Sequence, residues 1–197
     1  MTTTPAPAQR PMRADARRNY QRLVTVATAA FAEHGAEASL DDIARRAGVG
    51  SGTLYRHFPT RQALLEAVYR EQVELVCAEG RELLASSPPG EALAAWLRSL
   101  LAYAVSKRGL VSLMGGMDKR PELISSCRAA LLETGEALLA RAQESGAVRP
   151  DASVSDLVRL VSAIASATER APDDASQADR LLALVMDGLR LQAPTSA

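Results

Sequence analysis

An all-helical fold is what this sequence predicts, on three observations. Ala, Leu, Glu and Arg recur along the 197 residues while aromatic side chains make up only 4%, a usage that suits helices and not sheets. Apolar residues return at spacings of three and four, without sustained two-residue alternation. Gly, Pro and capping Ser or Thr residues punctuate these periodic stretches at helix-length intervals. With 47% apolar and 23% charged residues, the chain has globular composition, which excludes a collagen-like, mucin-like or wholly disordered protein.

The elements follow in order. Residues 1–12 (MTTTPAPAQRPM) and 192–197 lack apolar periodicity and read as flexible tails. From Arg13, the positions Tyr20, Leu23, Val24, Ala27, Ala30 and Phe31 line one face of a first helix, and Gly35 supplies its stop. Ser39 caps a second helix, with Asp42 three residues on and Leu40, Ile43, Ala44 and Ala47 facing inward. Gly48 ends that helix, and a third covers residues 51–58, with Leu54 and Phe58 inward. Pro59 stops the third helix, and Thr60 caps a long fourth through Leu64, Leu65, Val68, Val73 and Val76 toward Leu84.

The stretch Ser86-Ser87-Pro88-Pro89-Gly90 is a break. Further helices are expected over 91–107, 110–114, 121–144, 154–169 and 176–191, about nine in all, with a loop at Gly115-Gly116 and a turn at Pro172, Asp173 and Asp174. The domains expected are 13–70 and 71–191, divided within the long fourth helix.

Charge is distributed unevenly. The net charge is zero, yet residues 1–70 hold ten arginines against six acids, a net +4 that the remainder cancels. A cationic N-terminal third on a neutral chain points to a polyanionic partner there. Residues 39–58 supply a fitting motif: a helix, a tight glycine turn and a short second helix, as in a helix-turn-helix. Ile43, Ala44, Val49 and Leu54 are small or apolar where the helices must pack. Ser51, Thr53, Tyr55 and Arg56 offer hydrogen-bonding groups on the outer face, and Gly52 removes a side chain where backbone could approach a duplex.

The segments Ala-Phe-Ala-Glu-His-Gly (30–35), Asp-Ile-Ala-Arg-Arg-Ala-Gly-Val (42–49) and Gly-Thr-Leu-Tyr-Arg-His-Phe (52–58) resemble the DNA-binding domain of the tetracycline-repressor (TetR) family, over roughly residues 14–70. The resemblance implies a dimeric repressor on a double-stranded DNA operator, with a helical C-terminal domain whose small-molecule effector releases the DNA. It places Ser51, Gly52, Tyr55 and Arg56 toward bases and Thr53 toward base or backbone. His57, Thr60, Arg61 and Ser39 then face phosphates, and Arg17, with Arg13 and Arg18, forms a basic arm. Gly50 departs from the pattern, standing where the family usually has Ser.

In the second half, Lys-Arg-Gly-Leu (107–110), Ala-Arg-Ala-Gln-Glu-Ser-Gly-Ala-Val-Arg-Pro-Asp (140–151) and Asp-Leu-Val-Arg-Leu-Val (156–161) resemble the SbtR-type C-terminal domain within that family. The last two expected helices are apolar on more than one face. Leu157, Leu160, Val161 and Ile164, then Leu181, Leu184 and Val185, read as a homodimer seam; burial within a single protomer is the competing account. Tyr69, Trp96, Tyr103, Met114, Met117, Cys127 and Leu131 are candidates to line a pocket for a small, largely apolar effector. Arg128, Ser162, Ser166 and Glu169 are its candidate polar anchors, and core packing competes for each of these positions.

Other functions are disfavoured. Gly48 to Thr53 lacks the preceding strand and the Lys-Ser/Thr ending of a phosphate-cradling loop. His34 and His57 have no spaced partners for a metal or a catalytic triad, so neither an enzyme nor any cofactor or metal is expected. Cys77 and Cys127 read as buried free thiols in a reducing cytoplasm, and no apolar run is long enough for a membrane span. The function expected is a dimeric, effector-released repressor on an inverted-repeat operator. The rival is a constitutive or architectural DNA-binding dimer without an effector.

Overall fold

The computed structural model describes residues 10–168 and 176–190, with side chains except at residues 10–13 and 117. The expected tails over 1–9 and 192–197, the turn at Pro172, Asp173 and Asp174, the anchor Glu169 and the side chains of Arg13 and Met117 lie outside the described residues. The described chain is helical, without a strand. Its elements are α1 (Arg10–His34), a 3-10 turn (Gly35–Glu37), α2 (Leu40–Arg46), α3 (Ser51–His57), α4 (Arg61–Ser86), α5 (Pro89–Leu113), a second 3-10 turn (Met117–Lys119), α6 (Pro121–Glu144), α7 (Val154–Thr168) and α8 (Gln177–Leu189).

Two boundaries differ from the sequence reading. α1 is already helical at Arg10, the first described residue, so residues 10–12 of the stretch read as tail are helical. The separate helices expected over 91–107 and 110–114 are one, α5, so the described residues hold eight α-helices. Gly109 costs that helix about 1 kcal/mol relative to alanine. Burial of Leu110 one residue later returns roughly 1.5–3 kcal/mol, so the helix continues until Gly115 and Gly116, both at positive φ (+81° and +98°), turn the chain. Pro89 occupies the first turn of α5 and Pro121 that of α6.

The chain divides into two compact units at Val68/Tyr69, within α4. In the first, Leu23, Val24, Ala27 and Phe31 of α1 are buried together with Ile43, Ala44, Leu54, Phe58, Leu64 and Leu65. Tyr20 lies against Phe58 with ring centroids 5.1 Å apart. In the second, α5 packs on α6, α7 and α8, and α7 packs on α6 and α8.

Trp96 of α5 is wholly buried there, and two glycines make its room. A Cβ at Gly80 would come within 2.9 Å of the indole Cδ1, and one at Gly135 within 2.6 Å of Cη2, with Val154 closer still. These glycines stand inside α4 and α6, where glycine is otherwise unfavourable. Gly135→Ala is therefore expected to destabilise the protein by about 1–3 kcal/mol despite the better helix propensity of alanine. Urea unfolding monitored by circular dichroism checks this, and a neutral or stabilising result would mean that the indole slot has slack.

Candidate nucleic-acid interface

The helix-turn-helix is assembled by caps at each corner. Ser39 has extended backbone angles, and its Oγ accepts from the Asp42 N–H at 3.4 Å, starting α2. At the far end Gly48 takes φ +65°. Its N–H donates to the Arg45 carbonyl at 3.1 Å, and that of Val49 to Ala44 at 3.0 Å, the left-handed ending that glycine permits. Gly50 then caps α3 with extended angles and no side-chain bond.

α3 separates its faces cleanly. Leu54, with Phe58 just beyond the helix, is buried, whereas Ser51, Gly52, Tyr55 and Arg56 are exposed. Tyr55 is 46% exposed, an arrangement with no folding benefit for so large a ring, so its face is available to a partner. Thr53 is half-buried. Ser51 donates its hydroxyl to the Asp41 carboxylate at 2.8 Å, tying the start of α3 to the first turn of α2.

The expected phosphate-facing positions fall into different settings. Thr60 is exposed and its Oγ1 accepts from the Ala63 N–H at 3.1 Å, capping α4. His57 is half-buried, edge-on to Tyr20 at 6.0 Å. Arg61 turns toward its own unit: its guanidinium donates to the carbonyls of Ala38, Gly35 (3.0 Å) and Ala36 (2.8 Å) and sits 4.9 Å from the Phe31 ring centroid. Those carbonyls close the turn between α1 and α2, so Arg61 is engaged in holding that turn.

Much of the arginine excess is paired internally. Arg18 pairs with Asp15, Arg45 with Asp42, and Arg46 with Glu33 and Asp42. Arg17 and Arg56 are exposed, and among the described residues neither has an acidic partner.

In the second unit, Tyr69, Trp96, Tyr103, Met114, Cys127 and Leu131 are buried, while Arg128, Ser162 and Ser166 are exposed. Ser162 donates to the Val158 carbonyl at 2.8 Å along its own helix. A described cleft of about 990 Å³ lies elsewhere, lined by Pro89, Arg98, Val148, Leu182 and Met186 among others. Of the seam candidates, Leu157, Val161 and Ile164 are buried within the protomer. Leu181 and Val185 are half-buried, and Leu160 and Leu184 stand 44% and 68% exposed.

A capped helix-turn-helix with a polar outer face, followed by a larger helical unit, defines a DNA-binding regulator. Residues 23–68 match the family described as bacterial regulatory proteins, tetR family, and residues 88–191 match the SbtR-like transcriptional regulator C-terminal domain. The chain belongs to the TetR family of transcriptional regulators, and its C-terminal domain is of the SbtR-like kind.

Solved structures agree. A TetR transcriptional regulator from Streptomyces coelicolor is 40% identical with a TM-score of 0.78, covering 88% of this chain and 99% of that one. A TetR regulatory protein from Mycobacterium vanbaalenii is 40% identical with a TM-score of 0.76, covering 92% and 100%. An HTH-type transcriptional regulator of Staphylococcus aureus (strain USA300) is 36% identical over 73 residues, 36% of this chain, and that match spans 40% of the relative's own length.

Sequence reasoning did not anticipate the Asp41–Ser51 bond, the inward engagement of Arg61 or the glycine slot around Trp96. Only the last left a signal, namely glycine in the interior of a helix.

The two glycines of the recognition region separate stability from binding. A Cβ at Gly52 or Gly50 meets nothing within 4 Å. Gly52→Ala should therefore stabilise the fold by up to about 1 kcal/mol and yet weaken operator binding, if DNA approaches the backbone there. Thermal unfolding and fluorescence anisotropy on a DNA fragment read the two effects, and unchanged affinity would place the duplex away from Gly52. Gly50→Ser should add a few tenths of a kcal/mol through the cap. Arg61→Met should cost about 1–3 kcal/mol by leaving carbonyls without their donor, and a stability loss below that range in chemical denaturation would show water replacing the guanidinium.

Proposed function

We propose that the protein is a homodimeric repressor that binds an inverted-repeat operator through α3 and is released by a small molecule bound in its C-terminal domain. The observation that carries the dimer is the exposure of Leu160 on α7 and Leu184 on α8, helices that already bury Leu157, Val161, Leu182 and Leu189 on their other sides. Exposed leucines on neighbouring amphipathic helices form a patch that a second copy would cover, and a stable interface should bury at least about 1,000 Å². A two-fold protein presents its two recognition helices in two-fold relation, which favours an inverted repeat with half-sites about one helical turn of DNA apart or a multiple of it.

Within each half-site, Ser51, Gly52, Tyr55 and Arg56 would face bases, with Thr53 beside them. Ser39, His57, Thr60 and Arg17 would lie along phosphates. Arg61 is not among these contacts, because its donors serve its own turn. α4 runs from the Thr60 cap to Ser86 and passes through both units, so ligand binding along its second half has a covalent route to the DNA-binding unit.

The constitutive binder remains the second reading, favoured by one observation. Trp96, a candidate pocket-lining residue, is wholly buried between two glycines.

Leu184→Glu tests the seam. The variant is expected to sediment as a monomer and to lose operator binding, because each copy then carries half of the contacts; a variant that stays dimeric places the seam elsewhere. The parent should also bind with strong salt dependence, releasing counterions from about 6–10 phosphates per dimer. Anisotropy titrations between low and physiological salt measure that slope, and a flat response would remove the electrostatic part of the reading.

A further inference from the structure

In the second unit, a buried hydroxyl without a well-formed hydrogen bond lies beside a positive charge without a counter-charge. Tyr103 of α5 is only 5% exposed, and its hydroxyl oxygen is shut off from solvent and makes no hydrogen bond of good geometry, with the Tyr69 side chain as the polar group that faces it. Buried polar groups are nearly always satisfied, and an orphan of this kind asks for an explanation. Tyr69 of α4 lies edge-on to the Tyr103 ring at 6.3 Å. Lys107, one turn further along α5, holds its Nζ 5.1 Å from the same ring centroid.

Lys107 is half-buried, and among the described residues no carboxylate pairs with it. Burial, followed by the cations of Arg108 and Arg128, lowers its pKa below the ordinary lysine value. The groups facing this place are thus cationic or, like the Tyr69 and Cys127 side chains, held neutral because burial raises their pKa. Desolvating like charges together works against folding. An anion bound beside them reverses the sign of that contribution, and the Tyr103 hydroxyl is a donor in need of an acceptor.

Resting on the reading that this unit binds an effector, we propose that the effector is a small aromatic carboxylate, with its anionic group shared by Lys107 and Arg128 and accepting a hydrogen bond from the Tyr103 hydroxyl. The Tyr69 and Tyr103 rings are inclined at 61° to each other, and a flat aromatic acid would pack against their faces and edges. A single half-buried lysine with one exposed arginine suits a monoanion. The sequence alone suggested a largely apolar ligand, since Lys107 was legible there only as part of a family-like segment.

The test uses the full chain and isothermal titration calorimetry with benzoate, salicylate and naphthoate, each against its neutral amide. At least one acid is expected to bind about tenfold or more tightly than its amide. Lys107→Met should cost about tenfold in affinity for that acid, and Tyr103→Phe, which keeps the ring, should cost several-fold. Circular dichroism and operator binding should stay as in the parent for both variants, and Lys107→Arg should retain most of the acid's affinity.

Amides binding as well as their acids, a Lys107→Met variant that binds the acid like the parent, or no acid binding at all would each overturn the proposal. Operator release followed in parallel separates it from the broader reading. Acid binding that depends on Lys107 but leaves the operator bound supports the site and sinks effector control, whereas release by neutral compounds alone keeps effector control and overturns the anionic ligand.

Discussion

Everything the outer face of the helix-turn-helix presents depends on the burial of a few aliphatic side chains beneath two very short helices. α2 and α3 have seven residues each, far below the length at which a helix is stable by itself in water. They persist because Ile43 and Leu54 are wholly buried in the same core as Leu23 and Val24 of α1. The caps at Ser39 and Gly50 and the left-handed Gly48 set where each helix starts and stops, but the core supplies the free energy. Once Leu54 and Phe58 are turned inward, the helical repeat leaves Ser51, Gly52, Tyr55 and Arg56 outward with no further adjustment.

Electrostatics act more locally than net charge suggests. The arginine excess of the first 70 residues appears in composition as one basic surface, yet in the fold it is divided. Arg18, Arg45 and Arg46 meet carboxylates of their own unit, and Arg61 satisfies carbonyl oxygens between α1 and α2. Exposed pairs of this kind contribute little to stability. What they do is leave Arg17 and Arg56 as exposed cations without an acidic partner among the described residues, one on α1 and one on α3. The Asp41 carboxylate holding Ser51 has a related effect, because it commits the serine proton and turns the remaining lone pairs outward.

The second unit is organised around steric fit more than charge. Trp96 fills its site because α4 and α6 each omit a side chain opposite it, at Gly80 and Gly135. That packing makes the indole part of the core and separates it from the more polar surroundings of Tyr103 and Lys107, which lie two and three turns further along α5. One helix thereby serves two purposes: its first half anchors the bundle, and its second half carries an unsatisfied hydroxyl and a half-buried amine. Each half buries one polar atom without a hydrogen-bond partner, the Trp96 indole N–H in the first and the Tyr103 hydroxyl in the second, but only the second sets that atom beside a cation.

The sequence by itself determined the helical class, the order of the elements and the recognition motif, because each is a matter of local chemistry. Ser39, Gly48, Pro59 and Thr60 specify starts and stops through their own backbone preferences, and the spacing of Ile43, Ala44, Leu54 and Phe58 identifies the inward face without knowledge of what covers it. The same local reasoning failed at Gly109, where it predicted a break; the burial of Leu110 on the same helix outweighs the cost of one glycine. Tertiary structure alone decided the engagements that cross long stretches of sequence: Arg61 with residues 35, 36 and 38, Ser51 with Asp41, Trp96 with Gly80 and Gly135, and Tyr103 with Tyr69. Whether an arginine meets a phosphate or a carbonyl, and whether a tryptophan lines a pocket or fills a core, depends on which elements the fold brings against it, and periodicity carries no information about that.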